Sequence, residues 1–316
     1  MAEILTVTLN PTLDISTEVT SIRPGPKLRC AQPRYHAGGG GVNVARAIAK
    51  LGGEATALLV VGGHTGQECL DLLRADGVPT LGIEGPAPTR HGFAVIELES
   101  GNQFRFGMPG PEWSPEECER FLEGFAGALR PGMFVVVSGS LPPGVRPGLI
   151  DQMNRRAVAE GARFVLDTSG PALEAAARFG GPPVDILRMD GEEAEHLAGR
   201  AFATPQALAD YGATLVAGGV ARHIVCSLSR RHGTVGVSAE DRFFVEPPEI
   251  RAVSAIGAGD SLVGAMVMSM ARGETFRAAA HLGAAAAGAA VMTPGTALCD
   301  AETTRRLHAR TSVATV

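Results

Sequence analysis

Short apolar runs alternate with amphipathic ones along most of this chain. Ile4–Leu9, Ala55–Val61, Met133–Ser138, Arg163–Asp167, Val184–Arg188 and His223–Leu228 are compact and largely apolar. Such runs suit strands buried on both faces. Between them, apolar residues recur at helical spacing over Val42–Leu51, Gly66–Asp76, Glu116–Ala128, Pro147–Glu160, Gly191–Ala198 and Pro205–Ala217. This βαβα rhythm predicts an α/β fold, with a mostly parallel sheet between two helical layers. Asp260–His308 reads as mostly helical after a β-rich stretch at Gly233–Val245. The Ala-rich run Ala278–Met292 reads as a buried helix.

Two stretches break the rhythm. Ile15–Tyr35 and Arg90–Phe106 read as polar, alternating strands with no helices attached, as in Gly92-Phe93-Ala94-Val95-Ile96-Glu97-Leu98. They predict a small second sheet formed by segments near 15–37 and 90–108. One face of that sheet must be buried, by a site that it lids, by a second subunit, or by both. No repeat, long linker or low-complexity tract divides the 316 residues, so they read as one domain.

A net charge of −5 argues against a nucleic-acid scaffold. No apolar segment is long enough for a membrane span. The five cysteines, Cys30, Cys69, Cys118, Cys226 and Cys299, are scattered and form no C-x-x-C pair. They read as reduced thiols of a cytoplasmic protein.

Candidate chemistry gathers at two glycine clusters. Gly257-Ala258-Gly259-Asp260-Ser261 precedes the helical run Leu262–Met270. Small residues expose backbone N–H groups where a helix dipole favours an anion. Asp260 places a carboxylate beside them, as phosphoryl transfer requires. Read alone, the motif is also a tight turn capping a helix. Gly38-Gly39-Gly40-Gly41 opens a second helix and lets a ligand reach bare backbone. Neither cluster is a P-loop or a dinucleotide fingerprint. Asp14 follows the first strand at its carboxyl end, where it can accept two sugar hydroxyls or cap a turn. Lys27 and Arg29, on alternate positions of a lid strand, join Arg90 and Arg105 as four cations. Together they can clamp a phosphate; singly, each also reads as a solubilising charge.

With these motifs in this order, the chain resembles the ribokinase-like, PfkB family of carbohydrate kinases over nearly its whole length. The phosphosugar branch is suggested by Thr8-Leu9-Asn10-Pro11-Thr12-Leu13-Asp14, Gly25-Pro26-Lys27-Leu28-Arg29 and Ser138-Gly139-Ser140-Leu141-Pro142-Pro143-Gly144. Lys27-Leu28-Arg29-Cys30 and Gly295-Thr296-Ala297-Leu298-Cys299 look most like the minor bacterial ATP-dependent 6-phosphofructokinases, close to tagatose-6-phosphate kinases. The resemblance implies a ribokinase-like αβα domain with a β-sheet lid. It implies transfer of the γ-phosphoryl of MgATP to a sugar phosphate, foremost fructose 6-phosphate. Tagatose 6-phosphate and fructose 1-phosphate are the alternative acceptors.

By the same resemblance, Asp260 is the base and Gly257, Ala258 and Gly259 are the anion hole. Asp14, Gly39, Gly40 and Asn43 hold the sugar. Lys27, Arg29 and Arg90 hold its phosphate, and Ser140 lines the pocket. Arg188, Asp190, Ser227, Ser229, Arg230, Gly233, Ala255 and Ile256 fall on the nucleotide side, with Glu193 and Asp190 toward Mg2+. A monovalent cation, K+, is implied near Ser254 and Gly295–Ala297, and a homodimer is implied through the lid.

The chain departs from the family pattern on the nucleotide side. Asp190 stands where Asn is expected in N-x-x-E, Arg188 where the branch often has Lys, Ser229 for a glycine, and Ala255 for a hydroxyl residue. Asp190 can tighten Mg2+, since hard cations prefer carboxylate oxygen, or repel ATP. Arg230 and Arg231 can compensate for Ser229 by charge. A non-catalytic sugar-phosphate-binding regulator therefore also fits. A kinase of nucleosides or unphosphorylated sugars fits poorly, because Lys27, Arg29 and Arg90 predict a cationic acceptor pocket.

Overall fold

The computed structural model describes residues 2–178, 180–228, 233–293 and 297–316. The first half runs β1 (Ile4–Thr8), β2 (Thr12–Val19), β3 (Arg34–Gly38), α1 (Gly40–Lys50), β4 (Thr56–Val61), α2 (Gly63–Ala75), β5 (Thr80–Glu84), β6 (Arg90–Glu97), β7 (Gln103–Gly107) and α3 (Pro115–Ala128). Next come β8 (Phe134–Ser138), α4 (Gly148–Ala159), β9 (Arg163–Asp167), α5 (Gly170–Ala176), β10 (Val184–Asp190), α6 (Gly191–Ala198) and α7 (Pro205–Ala217). The chain then forms β11 (Ala221–Leu228), β12 (Gly233–Ser238), β13 (Arg242–Glu246), α8 (Ala258–Ala271), α9 (Phe276–Val291), α10 (Ala301–His308) and β14 (Ser312–Thr315).

Among these residues, ten strands form one sheet in the order β14-β13-β12-β11-β10-β9-β8-β1-β4-β5. From β11 to β5 every pairing is parallel, while β11 to β14 pair antiparallel. Strand alternation fills two cores. Val135 and Val137 of β8 point into one core, with Phe121 and Phe125 of α3 and Met153 of α4. Phe134 and Val136 point into the other, with Val42 and Ile48 of α1 and Leu262 and Met266 of α8. The result is the three-layer α/β architecture that the rhythm predicts.

Helix α8 is apolar around its whole circumference because it is buried throughout, from Ser261 to Ala271. Glycines bring its neighbours close. A Cβ on Gly264 would lie 3.0 Å from the Val44 carbonyl of α1, and one on Gly283 of α9 would lie 2.8 Å from the Leu262 carbonyl. No helix among the described residues is long and apolar enough to cross a membrane.

The small sheet runs β3-β2-β6-β7, with β2 and β6 parallel. Its register sorts two faces. Asp14, His36, Arg90, Gly92, Arg105 and Gly107 share one. Ile15, Tyr35, Phe93 and Phe106 share the other, where the three aromatic rings are exposed.

The structure also differs from the sequence expectations. Strands β5 and β14 and helix α5 were not predicted. β5 and β14 are edge strands with largely exposed or intermediate residues, so they lack an apolar run. No strand spans residues 20–33, so Lys27 and Arg29 lie in an exposed irregular segment rather than on alternate strand positions.

Phe121 is fully buried between Trp113 and Phe125, with ring centroids 5.7 and 5.9 Å away. Phe121→Ala should lower unfolding stability by about 3–5 kcal/mol. Urea unfolding at unchanged m-value measures it, and a loss below about 1 kcal/mol would contradict the packing.

Candidate active site

Three neighbouring parallel strands end in a row of polar residues. Ser138 of β8 pairs in register with Asp167 of β9, and Asp167 pairs with Arg188 of β10. In-register neighbours point to the same face, here the face covered by α1 and α8. The Ser138 hydroxyl donates to Asp167 Oδ2 at 2.9 Å. Arg188 Nη1 donates to Asp167 Oδ1 at 3.2 Å, and its Nη2 donates to Ser227 Oγ at 2.8 Å. Burial opposes the Arg188 charge, but Asp167, Glu193 and Asp190 hold its pKa above the ordinary value.

The start of α8 lies on this row. Gly257 caps the helix with φ +74°, a left-handed conformation suited to glycine. A Cβ on Gly259 would meet the Arg188 guanidinium, 2.9 Å from Nη2, so a side chain there would have to displace the guanidinium. Asp260 follows in the first turn. Its Oδ2 accepts from Asn43 Nδ2 at 3.0 Å, which joins α8 to α1. Protein surrounds this carboxylate on nearly every side, although it still touches solvent. Burial pushes its pKa up to about 7, helped by the nearby Asp167 charge. The Asn43 hydrogen bond, the Arg188 charge and Ser138 act the other way. A carboxylate titrating near neutrality suits a general base.

The glycine run packs against protein atoms rather than standing open. Gly39 caps α1 with φ +118°. Side chains on Gly38 and Gly40 would collide with Asp14 and Ser138, respectively. The run therefore connects Asp14 to the Ser138–Asp167 row through backbone contact. Burial raises the pKa of Asp14, while Arg90, Arg105 and His36 oppose that rise. Arg90 donates to the Met108 carbonyl at 2.9 Å and the Asn10 carbonyl at 3.1 Å. The Asn10 side-chain amide donates to Ser140 Oγ at 3.2 Å.

Thus Asp14, Gly39, Gly40, Asn43, Asp260, Gly257, Ala258, Gly259, Arg188 and Ser227 form one continuous set. Arg90 and Ser140 adjoin it through Asn10. Lys27 and Arg29 are not held against it. Ala255 and Ile256 lie in the loop before α8, where the Ile256 N–H donates to Ser254 Oγ at 3.2 Å. Gly233 opens β12 opposite Leu228. Ser229 and Arg230 fall outside the described residues, as do Gly295 and Thr296.

Asp190 and Glu193 cap α6 reciprocally. Asp190 Oδ1 accepts from the Glu193 N–H at 2.9 Å, and Glu193 Oε2 accepts from the Asp190 N–H at 2.7 Å. Burial pushes the Glu193 pKa up. Each carboxylate retains a second oxygen. No acidic, histidine and cysteine cluster able to hold a metal by itself occurs among the described residues. The second oxygens of Asp190 and Glu193 fit Mg2+, which keeps water and phosphate oxygens and takes one or two carboxylates. The N–H groups at the start of α8 and the buried Arg188, whose Nε has no partner, fit a polyphosphate. A cavity of about 870 Å3 opens elsewhere, at the amino ends of β1, β4 and β5, and holds none of these residues.

The site residues that sequence reading missed are Asp167 and Asn10. Asp167 carried a usable signal: a carboxylate at the carboxyl end of an apolar strand.

Residues 7–304 match the model of the pfkB family carbohydrate kinases. The ATP-dependent 6-phosphofructokinase isozyme 2 of Escherichia coli is 38% identical over 309 residues, covering 98% of this chain and 99% of that protein. Crystal structures of E. coli phosphofructokinase-2 in complex with potassium, in a tetrameric inhibited form and in complex with fructose-6-phosphate are 37%, 36% and 36% identical. Their TM-scores are 0.92, 0.90 and 0.90, and each comparison covers 98% of this chain and 99% of the other. Arabidopsis thaliana ribokinase, at 19% identity and a TM-score of 0.70 over 98% of this chain and 99% of its own, shares the fold. The chain belongs to the pfkB family of carbohydrate kinases.

Proposed function

We propose that this protein transfers the γ-phosphoryl of ATP to a sugar phosphate, converting fructose 6-phosphate to fructose 1,6-bisphosphate. The observation that carries this reading is Asp260: a carboxylate titrating near 7, fixed by Asn43, in the first turn of a glycine-capped helix. The names and bound sugar of the E. coli relative support the acceptor.

Asp260 takes the proton of the attacking hydroxyl. The N–H groups of Gly257, Ala258 and Gly259 receive negative charge on the migrating phosphoryl. Asp14, Gly39, Gly40 and Asn43 orient the sugar. Arg90 and Ser140, with Lys27 and Arg29 from the irregular segment, hold its phosphate. Arg188 and Ser227 face the donor, with Ala255, Ile256 and Gly233 around it. Asp190 and Glu193 offer their second oxygens to Mg2+, which neutralises phosphate charge when bound. A K+ near Ser254 and Ala297 is part of the same reading, supported by the potassium complex of the relative.

The chain acts in this reading as one kinase domain with its lid formed by β2, β3, β6 and β7. The polar lid face carries Asp14 and Arg90. The opposite face exposes Tyr35, Phe93 and Phe106 and suits a homodimer contact. The tetrameric form of the relative fits a larger assembly of such dimers. The compartment proposed is the cytoplasm.

ADP release should appear with MgATP and fructose 6-phosphate and exceed that with tagatose 6-phosphate, fructose 1-phosphate, fructose or ribose. Asp260→Asn should lower kcat by about 10^2–10^4-fold. Sugar-phosphate binding without turnover by either protein would replace the kinase with a binding protein.

The base must be ionised, so kcat/KM should fall about tenfold per pH unit below about 7. A pH profile flat down to pH 5 would remove Asp260 from that role.

Arg90→Ala should raise KM for the phosphorylated acceptor roughly 10–100-fold, the value of a lost charge-assisted hydrogen bond, and leave KM for ATP within about twofold. An unchanged acceptor KM would sink the phosphate-clamp assignment.

A further inference from the structure

Glycine inside a strand weakens it and packs no side chain against the neighbours, so its presence there marks a close approach. Gly92 lies within β6, and its φ is not positive, so no backbone conformation requires glycine there. Space does. A Cβ on Gly92 would overlap Oδ1 of Asp14, its in-register partner on β2. On the other side of β2, a Cβ on Gly38 of β3 would overlap Oδ2 of the same carboxylate. The Asp14 carboxylate therefore lies lengthwise across the lid sheet. One oxygen points toward each neighbouring strand, into a gap that a glycine leaves.

The clash at Gly92 is with side chains. After Asp14 Oδ1, the nearest atoms to such a Cβ are Thr12 Oγ1 at 3.2 Å and Asp14 Cγ at 3.6 Å. A carboxylate at the end of a side chain yields more easily than a paired strand. A methyl group at this position would therefore turn Asp14 aside and leave the sheet intact. Gly107 supplies the contrast. It pairs with Gly92 from β7 and shares its face, yet a Cβ there would meet nothing within 4 Å.

We propose that Gly92 is a positioning residue for the acceptor sugar: its missing side chain keeps open the place in which Asp14 lies flat, so that both carboxylate oxygens can accept hydroxyls of one sugar. Gly92 acts through Asp14 and need not touch the sugar itself. A carboxylate turned off the sheet would keep one oxygen in the right direction, and one charge-assisted hydrogen bond would be lost. The acceptor that this arrangement selects carries two neighbouring hydroxyls. Gly92 thus serves the hydroxyl end of the acceptor, while Arg90, two residues earlier on the same face, serves its phosphate.

This inference rests on Asp14 holding the acceptor sugar, so the experiment separates the two. The dissociation constant of fructose 6-phosphate, without nucleotide, is measured by calorimetry for the native protein, Gly92→Ala, Gly107→Ala, Asp14→Ala and the double variant Gly92→Ala/Asp14→Ala. Urea unfolding of each is followed alongside. Gly92→Ala should weaken binding roughly 10–100-fold, the value of one charge-assisted hydrogen bond. Its unfolding midpoint should be no lower than the native one, because alanine replaces glycine at an ordinary strand conformation. Gly107→Ala should bind as the native protein does. Without the carboxylate, Gly92→Ala should have no effect, so the double variant should bind within about twofold of Asp14→Ala. Native affinity in Gly92→Ala would overturn the proposal. An equal further loss in the Asp14→Ala background would overturn it too, by showing that Gly92 acts without Asp14. A midpoint well below the native one would do the same, by showing that the sheet gives way and not the carboxylate. Native affinity in Asp14→Ala would instead remove Asp14 from the sugar site, and with it the reading beneath.

Discussion

One hydrogen bond joins the two halves of the site. Asn43 and Asp260 are 217 residues apart, and each lies in the opening turns of a helix that starts on glycine. The bond forms only because α1 and α8 approach to backbone contact, through Gly264 against Val44. A bulkier α8 would separate the helices and draw the acceptor side away from the donor side. In the proposed reading, small residues in that interface therefore set catalytic geometry as well as packing. The same requirement explains why α8 carries little amphipathic signal: it is gripped on every side.

Beneath that contact lies a more expensive feature. Asp167 and Arg188 are both largely buried, and a buried ion pair seldom adds net stability over apolar residues of similar shape. Removing one partner is far worse, at about 3–5 kcal/mol, because the other is left charged and unpaired. The pair thus fits a site held for chemistry rather than for folding. Gly259 belongs to the same bargain. Its missing side chain lets the guanidinium lie directly under the start of α8, where a helix N-terminus would otherwise disfavour a cation. Asp167, with Glu193 and Asp190, makes that cation tolerable.

Much of the fold was legible in the sequence, because strands buried on both faces are written as unbroken apolar runs. β8 reads Phe-Val-Val-Val-Ser and leaves little choice. β5 and β14 were illegible for the opposite reason: edge strands keep exposed positions, and their apolar residues do not cluster. Segment 20–33 misled because Lys27 and Arg29 alternate with apolar neighbours, as a strand would, without a partner strand beside them. Within the site, residues carried by glycine motifs were easy to select. Asp167 was not, since its meaning depends on register. Only when β8, β9 and β10 are aligned do Ser138, Asp167 and Arg188 become one row. A sequence names the ends of strands but not which ends lie side by side.

Register also bears on the departures at Arg188 and Asp190. As a helix cap, Asp is equivalent to Asn, and the reciprocal bonds between Asp190 and Glu193 show the local geometry intact. The extra charge is therefore an electrostatic matter. Asp190 and Glu193 both act on Arg188, which already serves Asp167. One guanidinium faces three carboxylates, and burial pushes the Glu193 pKa up as a result of its enclosed position. Arginine suits that demand better than lysine, because its planar fork reaches Asp167 and Ser227 together while its charge survives burial. Negative charge still exceeds positive at this corner of the sheet. A hard divalent cation arriving with polyphosphate would correct the imbalance, which makes the acidic substitution more consistent with metal-assisted nucleotide binding than with its loss.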